Sequence, residues 1–321
     1  MPSRIIDFKP ETYYLTYAKH EPALWVEPGT TVRTPTVDAA GKDHTGKTIP
    51  RERMEQRDDT DLRVGNPLSG PFCVKGAEPG DTLVCRIRKI EYTRRTAWSR
   101  VVPTQVFFAG EGPGMYCEMI PTDPPRDYTW RIDDSGKTAT VNLPRSKVKK
   151  ATIPLHPFLG CIGVAPPIGR VEPSITPGEY GGNMDAIETG PGATVYLPVF
   201  VRGGYLSVGD VHAAQGDGEI CLTALETSAR VIMHLDLIKG KAIGWPRVDN
   251  RTHIMTVGNA KPLEAAFGIA HRHLVRWLAD DFGFAVDDAI QLVSQACRVR
   301  IGNVVDPRYT VTAKFPKALL P

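Results

Sequence analysis

The chain reads as a mainly β protein with a small helical hairpin near its C-terminus. Three observations carry that class. Short segments alternate apolar and polar residues with period two, the pattern of half-buried strands. The 30 glycines and 28 prolines are spread along the chain and punctuate it too often for a helical protein. Helical periodicity of useful length is confined to residues 262–296.

Residues 23–37 (ALWVEPGTTVRTPTV) predict strand, turn, strand. Residues 39–69 are polar and weakly periodic, so they predict a long surface excursion, which in a compact protein is often functional. Residues 70–92 repeat the strand–turn–strand pattern around a tight turn at Glu78-Pro79-Gly80-Asp81. A short strand follows at 138–143, and another stretch begins at Ile153. Between them the basic run Arg145–Lys150 predicts a solvated strand or loop rather than a phosphate site. Val195, Leu197, Val199 and Val201 alternate as one strand, and Ile220, Leu222 and Ala224 open a second. The first helix spans 262–281, with Pro262 at its start and Ala266, Ile269, Ala270, His273, Leu274 and Trp277 near one face. His271 and His273 are two apart on it, point in different directions and make no metal pair. A second helix, 286–296, starts with Asp287 and Asp288, where acids suit the helix dipole. Strands around 297–304 and 309–315 close the chain. We divide it into a β-rich N-terminal region, 1–155, and a region 156–321 holding the chemical motifs and the helices, the two intertwined into one unit.

Composition narrows the class. At 321 residues, 41% hydrophobic and 23% charged, the chain has the make-up of a soluble globular protein with a sizeable core. A net charge of +3 with dispersed basic residues gives no reason to expect nucleic acid. No apolar run approaches the roughly 20 residues that span a bilayer, and the N-terminal MPSRIIDFKPETYY lacks the apolar stretch of a signal peptide. The six cysteines are scattered without C-x-x-C or zinc-ribbon spacing and mostly have apolar neighbours, which fits buried reduced thiols and a cytoplasmic setting. Cys161, in PFLGCIGVAPP, is the best-placed candidate for a cysteine nucleophile.

The chemistry concentrates in Gly209–Glu226, GDVHAAQGDGEICLTALE. It carries Asp210, His212, Gln215, Asp217, Glu219 and Glu226 among small residues, more ionisable groups than an ordinary loop needs or a core tolerates unpaired. An imidazole beside carboxylates suits a hydrolytic metal, although D-x-H-x-x-x-x-D-x-E is not a standard zinc spacing. The competing reading is a hydrogen-bonded or calcium-like acidic turn with His212 structural. A second cluster, Gly181-Gly182-Asn183-Met184-Asp185, offers an amide and a carboxylate in a Gly-rich loop, where a plain Asx turn is the alternative.

Ser69–Ile87, Gly181–Asp185 and Tyr196–Glu226 together resemble the acetamidase/formamidase family of amide hydrolases. Pro157–Pro166 and the ending Val304–Leu320 fit the same family in the same order, while the first 60 or so residues match less clearly. The resemblance implies a mainly β fold of sandwich and barrel-like units, a homo-oligomer such as a dimer, a divalent ion (zinc or calcium), and hydrolysis of a short linear amide to a carboxylate and ammonia. No Ser-Gly-Gly-Ser nucleophile region is present, which points to activated water rather than an acyl-enzyme. On that footing His212 with Asp210 or Asp217 holds the ion, and Asp185 is a ligand or supports one. Glu219 or Glu226, with Asp217 as a further candidate acid, moves the proton, and Asn183 and Gln215 bind the substrate amide. A larger or cyclic amide is the alternative substrate, and a non-catalytic, metal-stabilised binding protein is the alternative of another class.

Overall fold

The computed structural model describes residues 5–55, 65–102 and 125–321. Two large β-sheets, of nine and twelve strands, and a two-stranded ribbon make up the β structure of these residues. Strands from both halves of the chain enter both large sheets. In the nine-stranded sheet the long strands Thr82–Tyr92 and Ala229–Ile238 pair antiparallel at the centre. In the twelve-stranded sheet the buried strand Leu206–His212 lies between Phe158–Gly163 on one side and Leu68–Val74 and Glu226–Thr227 on the other. The inner faces share one apolar core, to which Phe72, Leu159 and Val208 come from one sheet and Leu83, Val195, Val231 and Met255 from the other. Burial on that scale is the main favourable term holding the sheets together. Both sheets are open sandwich layers and not closed barrels: one runs from Ile5–Asp7 to Arg298–Ile301, the other from Lys150–Pro154 to Met54–Glu55.

The helices fall where the periodicity puts them. Helix α1 is Leu263–Phe282 and helix α2 is Val286–Ala296. Ala266, Ala270, Leu274 and Leu278 recur every fourth residue on α1 and are buried against Ile254, Val311 and Phe315 of the sheet. The approach is close enough that a Cβ on Gly258 would lie 2.2 Å from the Ala266 carbonyl oxygen, so only glycine fits there. Gly283, with φ 72°, ends α1 in the left-handed conformation. No helix among the described residues is long and apolar enough to cross a membrane.

Three expectations change. The strand at 195 ends at Pro198, leaving Val199 and Val201 beyond it. Residues 220–224 are not a strand: Ile220 is 50% exposed and Leu222 has φ 74°, so this alternation belongs to a loop. The described part of 39–69 is more than surface, because Ile49 packs with Tyr13 and Val37, and 68–69 already belong to Leu68–Val74. Residues 56–64 and Cys117 lie outside the described residues.

Candidate active site

Strand register builds the site. Successive side chains of a strand alternate between its faces, so Asp210 and His212 share one face and Val211 takes the other. In the ladder His212 stands opposite Glu226 on one side and Phe158 on the other. Phe158 also meets the imidazole edge-on at 5.1 Å between ring centroids. Cys161 stands opposite Asn183, which carries the chain into Asp185. Three site carboxylates, Asp185, Asp210 and Glu219, occupy positive φ, at 47°, 51° and 48°. Such backbone is costly for a non-glycine residue and collects where function demands it. Gly160 leaves the space they need, since a Cβ there would lie 2.7 Å from both Asp185 Oδ1 and Asp210 Oδ2.

Around His212 the acids close in. Its Nε2 lies 3.2 Å from Asp210 Oδ2, 3.4 Å from Glu226 Oε1 and 4.0 Å from Glu219 Oε1, and Nδ1 lies 3.9 Å from Asp185 Oδ1. All five residues are buried, as is Asp306, which accepts a 2.8 Å hydrogen bond from Asn183 Nδ2. The ion pairs of Asp185, Asp210, Glu219 and Glu226 therefore run to a single imidazole. Among the described residues one cation at most faces several buried carboxyl groups, an arrangement that costs heavily unless protons or a metal ion complete it.

The ionisation behaviour agrees. Burial pushes Asp185 up to about 6, with the Asp210 charge adding to it and His212 opposing. Burial likewise lifts Glu219, Glu226 and Asp306 well above the carboxylate range, the neighbouring acids reinforcing it. Burial works against a charged His212, yet Glu226 and Asp210 outweigh it and hold its pKa well above the ordinary value. Asp185 Oδ1, Asp210 Oδ1, His212 Nε2 and Glu226 Oε2 are buried without a hydrogen-bond partner. Ligand atoms of Asp185, His212 and Glu219, and of Asp210, His212 and Glu226, each gather within 4.8 Å of one another. Carboxylate oxygens with one imidazole nitrogen form a donor set that suits a divalent cation.

Gln215 fixes which nitrogen faces the acids. Its Nε2 donates to the carbonyls of Asp185 (3.0 Å) and Gly302 (2.8 Å), which leaves Oε1 to accept from His212 Nδ1 at 2.9 Å. In a neutral imidazole Nδ1 then carries the hydrogen, and Nε2 turns a lone pair toward Asp210 and Glu226. A lone pair aimed at carboxylates calls for a cation between them.

The structure thus brings together Asp185, Asp210, His212, Glu219 and Glu226, but not Asp217. Flanked by Gly216 and Gly218, Asp217 turns to the surface and pairs with Arg300 at 2.6 Å. Asn183 and Gln215, expected on the substrate, are engaged by the protein instead. Asn183 donates to Asp185 and Asp306 and accepts from Cys161 Sγ at 2.8 Å and Asn66 Nδ2 at 3.3 Å. Burial, with Asp210 and Asp185 adding to it, holds the Cys161 thiol well above its ordinary pKa, so it is a hydrogen-bond donor and a poor nucleophile. Three site residues escaped the sequence reading: Asn66, which donates to Asp210 Oδ2 at 2.8 Å; Asn303, which donates to Asp185 Oδ2 at 3.1 Å; and Asp306. Asp306 sits in the ending Val304–Leu320, where an acid between two valines and a proline was the available signal. The loop bearing Glu219 is tied to the same segment, Gly218 N–H bonding Ile301 O and Val304 N–H bonding Gly218 O.

The cluster meets a cleft of about 620 Å³ at Gln215 and Glu219. Glu219 is thus the cluster carboxyl that also lines open space.

Comparisons with known proteins place the chain in a family. The acetamidase/formamidase family model matches residues 17–173 and 168–320. The formamidase of Methylophilus methylotrophus is 28% identical over 260 residues, 67% of this chain and 61% of that protein. The acetamidase of Mycolicibacterium smegmatis is 31% identical over 233 residues, 57% of this chain and 56% of that protein. The chain matches about three fifths of the length of these relatives. Among solved structures, the acetamidase from Yersinia enterocolitica superposes with a TM-score of 0.83 at 34% identity, covering 100% of this chain and 94% of that one. The acetamidase from Bacillus halodurans gives 0.81 at 28% identity, with 98% of each chain covered. With the family model covering both halves of the sequence and solved members matching the whole fold, the chain belongs to the acetamidase/formamidase family.

Proposed function

We propose that this chain hydrolyses the C–N bond of linear primary amides of the formamide and acetamide type, releasing ammonia and a carboxylate. The observation that carries the reading is the gathering of four buried carboxyl groups about the His212 imidazole, three of them with an oxygen left unpartnered, beside a cleft that Glu219 lines. The names of the family relatives agree with it.

An amide carbonyl is a weak electrophile, so hydrolysis needs polarisation, an activated water and a proton for the departing nitrogen. A divalent ion, zinc or calcium, held by His212 Nε2 with Asp210 and Glu226, or by the same imidazole with Asp185 and Glu219, would supply Lewis acidity and lower the pKa of water. Glu219 takes the part of general base, because it alone of the cluster's carboxyls lines the cleft and its raised pKa favours accepting a proton and returning it to nitrogen. Glu226 is held by the Ala224 N–H at 2.9 Å and faces His212 Nε2 at 3.4 Å. Gln215 orients the imidazole, and Asn183 orients Asp185. The reading keeps a cytoplasmic setting, supported by the buried free thiols Cys73, Cys85 and Cys161, and a homo-oligomer of the kind the family resemblance implies.

Ammonia release from formamide and acetamide tests the proposal. Wild-type protein turns over at least one of them, and His212→Ala and Glu219→Gln each lower turnover by about a hundredfold or more. Unchanged turnover in both variants would sink it.

A further inference from the structure

The cleft beside Glu219 is far larger than the smallest amides require. It measures about 620 Å³. At roughly 30 Å³ per water-sized share, formamide, with three heavy atoms, fills about a seventh of it. Clefts of this size ordinarily bury far larger ligands. Its wall includes Trp130, Ile153, Ile187, Ile220 and Leu225. The Trp130 indole N–H is already satisfied, donating to Ser99 Oγ at 3.0 Å, so the ring offers apolar surface. At the rim Arg300 and Asp217 neutralise each other at 2.6 Å, leaving no unpaired charge from this pair to recruit an ionic substituent.

The two ends of an amide have opposite needs, and the site separates them. The NH2 group donates hydrogen bonds and suits the buried carboxylates behind Glu219. An acyl substituent has no such need and suits the apolar walls. We propose that the preferred substrate is an uncharged primary amide with an extended apolar acyl group, aromatic or branched, seated between Trp130 and Ile187. The inference rests on the amidase reading and names its substrate class. Water adds its oxygen to the carbonyl carbon, the C–N bond breaks, and nitrogen leaves as ammonia carrying a proton from that water.

A kcat/KM series over formamide, acetamide, propionamide and phenylacetamide tests this on the full chain. Burial of each added methylene is worth about fourfold, so kcat/KM should climb at least tenfold from acetamide to phenylacetamide. Ile153→Trp, which narrows the cleft, should shift the phenylacetamide-to-acetamide ratio back by tenfold or more. A second measurement on wild-type protein is independent of that variant's folding: phenylacetate should inhibit at least ten times more tightly than acetate. A flat or falling series, equal inhibition by the two acids, or an unchanged ratio in a folded Ile153→Trp protein would each overturn the proposal. Cleavage of acetamide without phenylacetamide defeats the cleft assignment alone. Cleavage of no amide defeats the amidase reading beneath it.

Discussion

Asp81 and Asp185 are both buried aspartates, and the fold treats them in opposite ways. Asp81 accepts from Lys239 Nζ at 2.5 Å and from the backbone N–H groups of Glu78 and Gly240 at 2.8 and 2.7 Å. Burial pushes its pKa up, but those partners outweigh it and hold the carboxyl below its ordinary value. Asp185 has Asp210 and Asp306 for neighbours, burial lifts it to about 6, and its Oδ1 has no donor. The chain is therefore able to satisfy a buried carboxylate where one serves structure. Around His212 the described residues leave Asp185 Oδ1, Asp210 Oδ1 and Glu226 Oε2 without donors, the pattern expected of a site that a cation completes.

The largest way to break the contrast is to remove the shared imidazole. His212→Ala should lower ammonia release by about a thousandfold, since base activation and ion retention go together. Asp81→Asn should leave turnover per folded molecule within about threefold and cost about 1–2 kcal/mol of stability, read by denaturant unfolding. Equal loss of turnover in the two variants would erase the distinction.

The next effect is on stability and pH. A carboxyl whose folded pKa is raised contributes no penalty below its unfolded value, and its stabilisation is lost as pH rises through the folded value. For Asp185 that window runs from its ordinary value of 3.8 to about 6, a loss of about 3 kcal/mol. Glu219, Glu226 and Asp306, also raised, extend the loss to higher pH. Chelator-treated protein should therefore melt several degrees lower at pH 8 than at pH 5, and a divalent ion should remove the difference. A melting temperature that is flat or rises over this range would contradict the unpaired cluster.

Gln215→Leu sharpens the comparison further. It frees the imidazole tautomer without touching a carboxylate, and should weaken metal affinity by about 10–100-fold in a calorimetric titration. Smallest of all is Asp217→Asn. An exposed ion pair contributes about 0–1 kcal/mol, so turnover on acetamide and stability should both stay close to wild type. A hundredfold loss would return Asp217 to the site.

These residues also mark what the sequence made legible. Helix α1 was readable because its apolar spacing and the breaks at Pro262 and Gly283 are local. The crowding of acids about His212 was readable because Asn183, Asp185, Asp210, His212, Gln215, Glu219 and Glu226 fall in two short segments, 183–185 and 210–226. Exposure was not readable: Asp217 and Glu219 are two apart, yet glycines on both sides let Asp217 turn out to Arg300, which lies 83 residues on. The same limit misled at Ile220, whose alternation with Leu222 resembles a strand while its side chain lines the cleft. The roles of Asn66 and Asp306 were hard to read because their partners lie 144 and 123 residues away, distances that only the folded chain closes.

One measurement bears most directly on the central claim that the buried acids around His212 form a cation-dependent amide-hydrolysing site. Metal-stripped protein is titrated with zinc or calcium while ion binding and ammonia release from acetamide are followed together. Turnover is expected to be negligible without ion and to recover in step with binding, with neither binding nor recovery in His212→Ala. Full turnover by the stripped protein, or undiminished ion binding in His212→Ala, would contradict the claim.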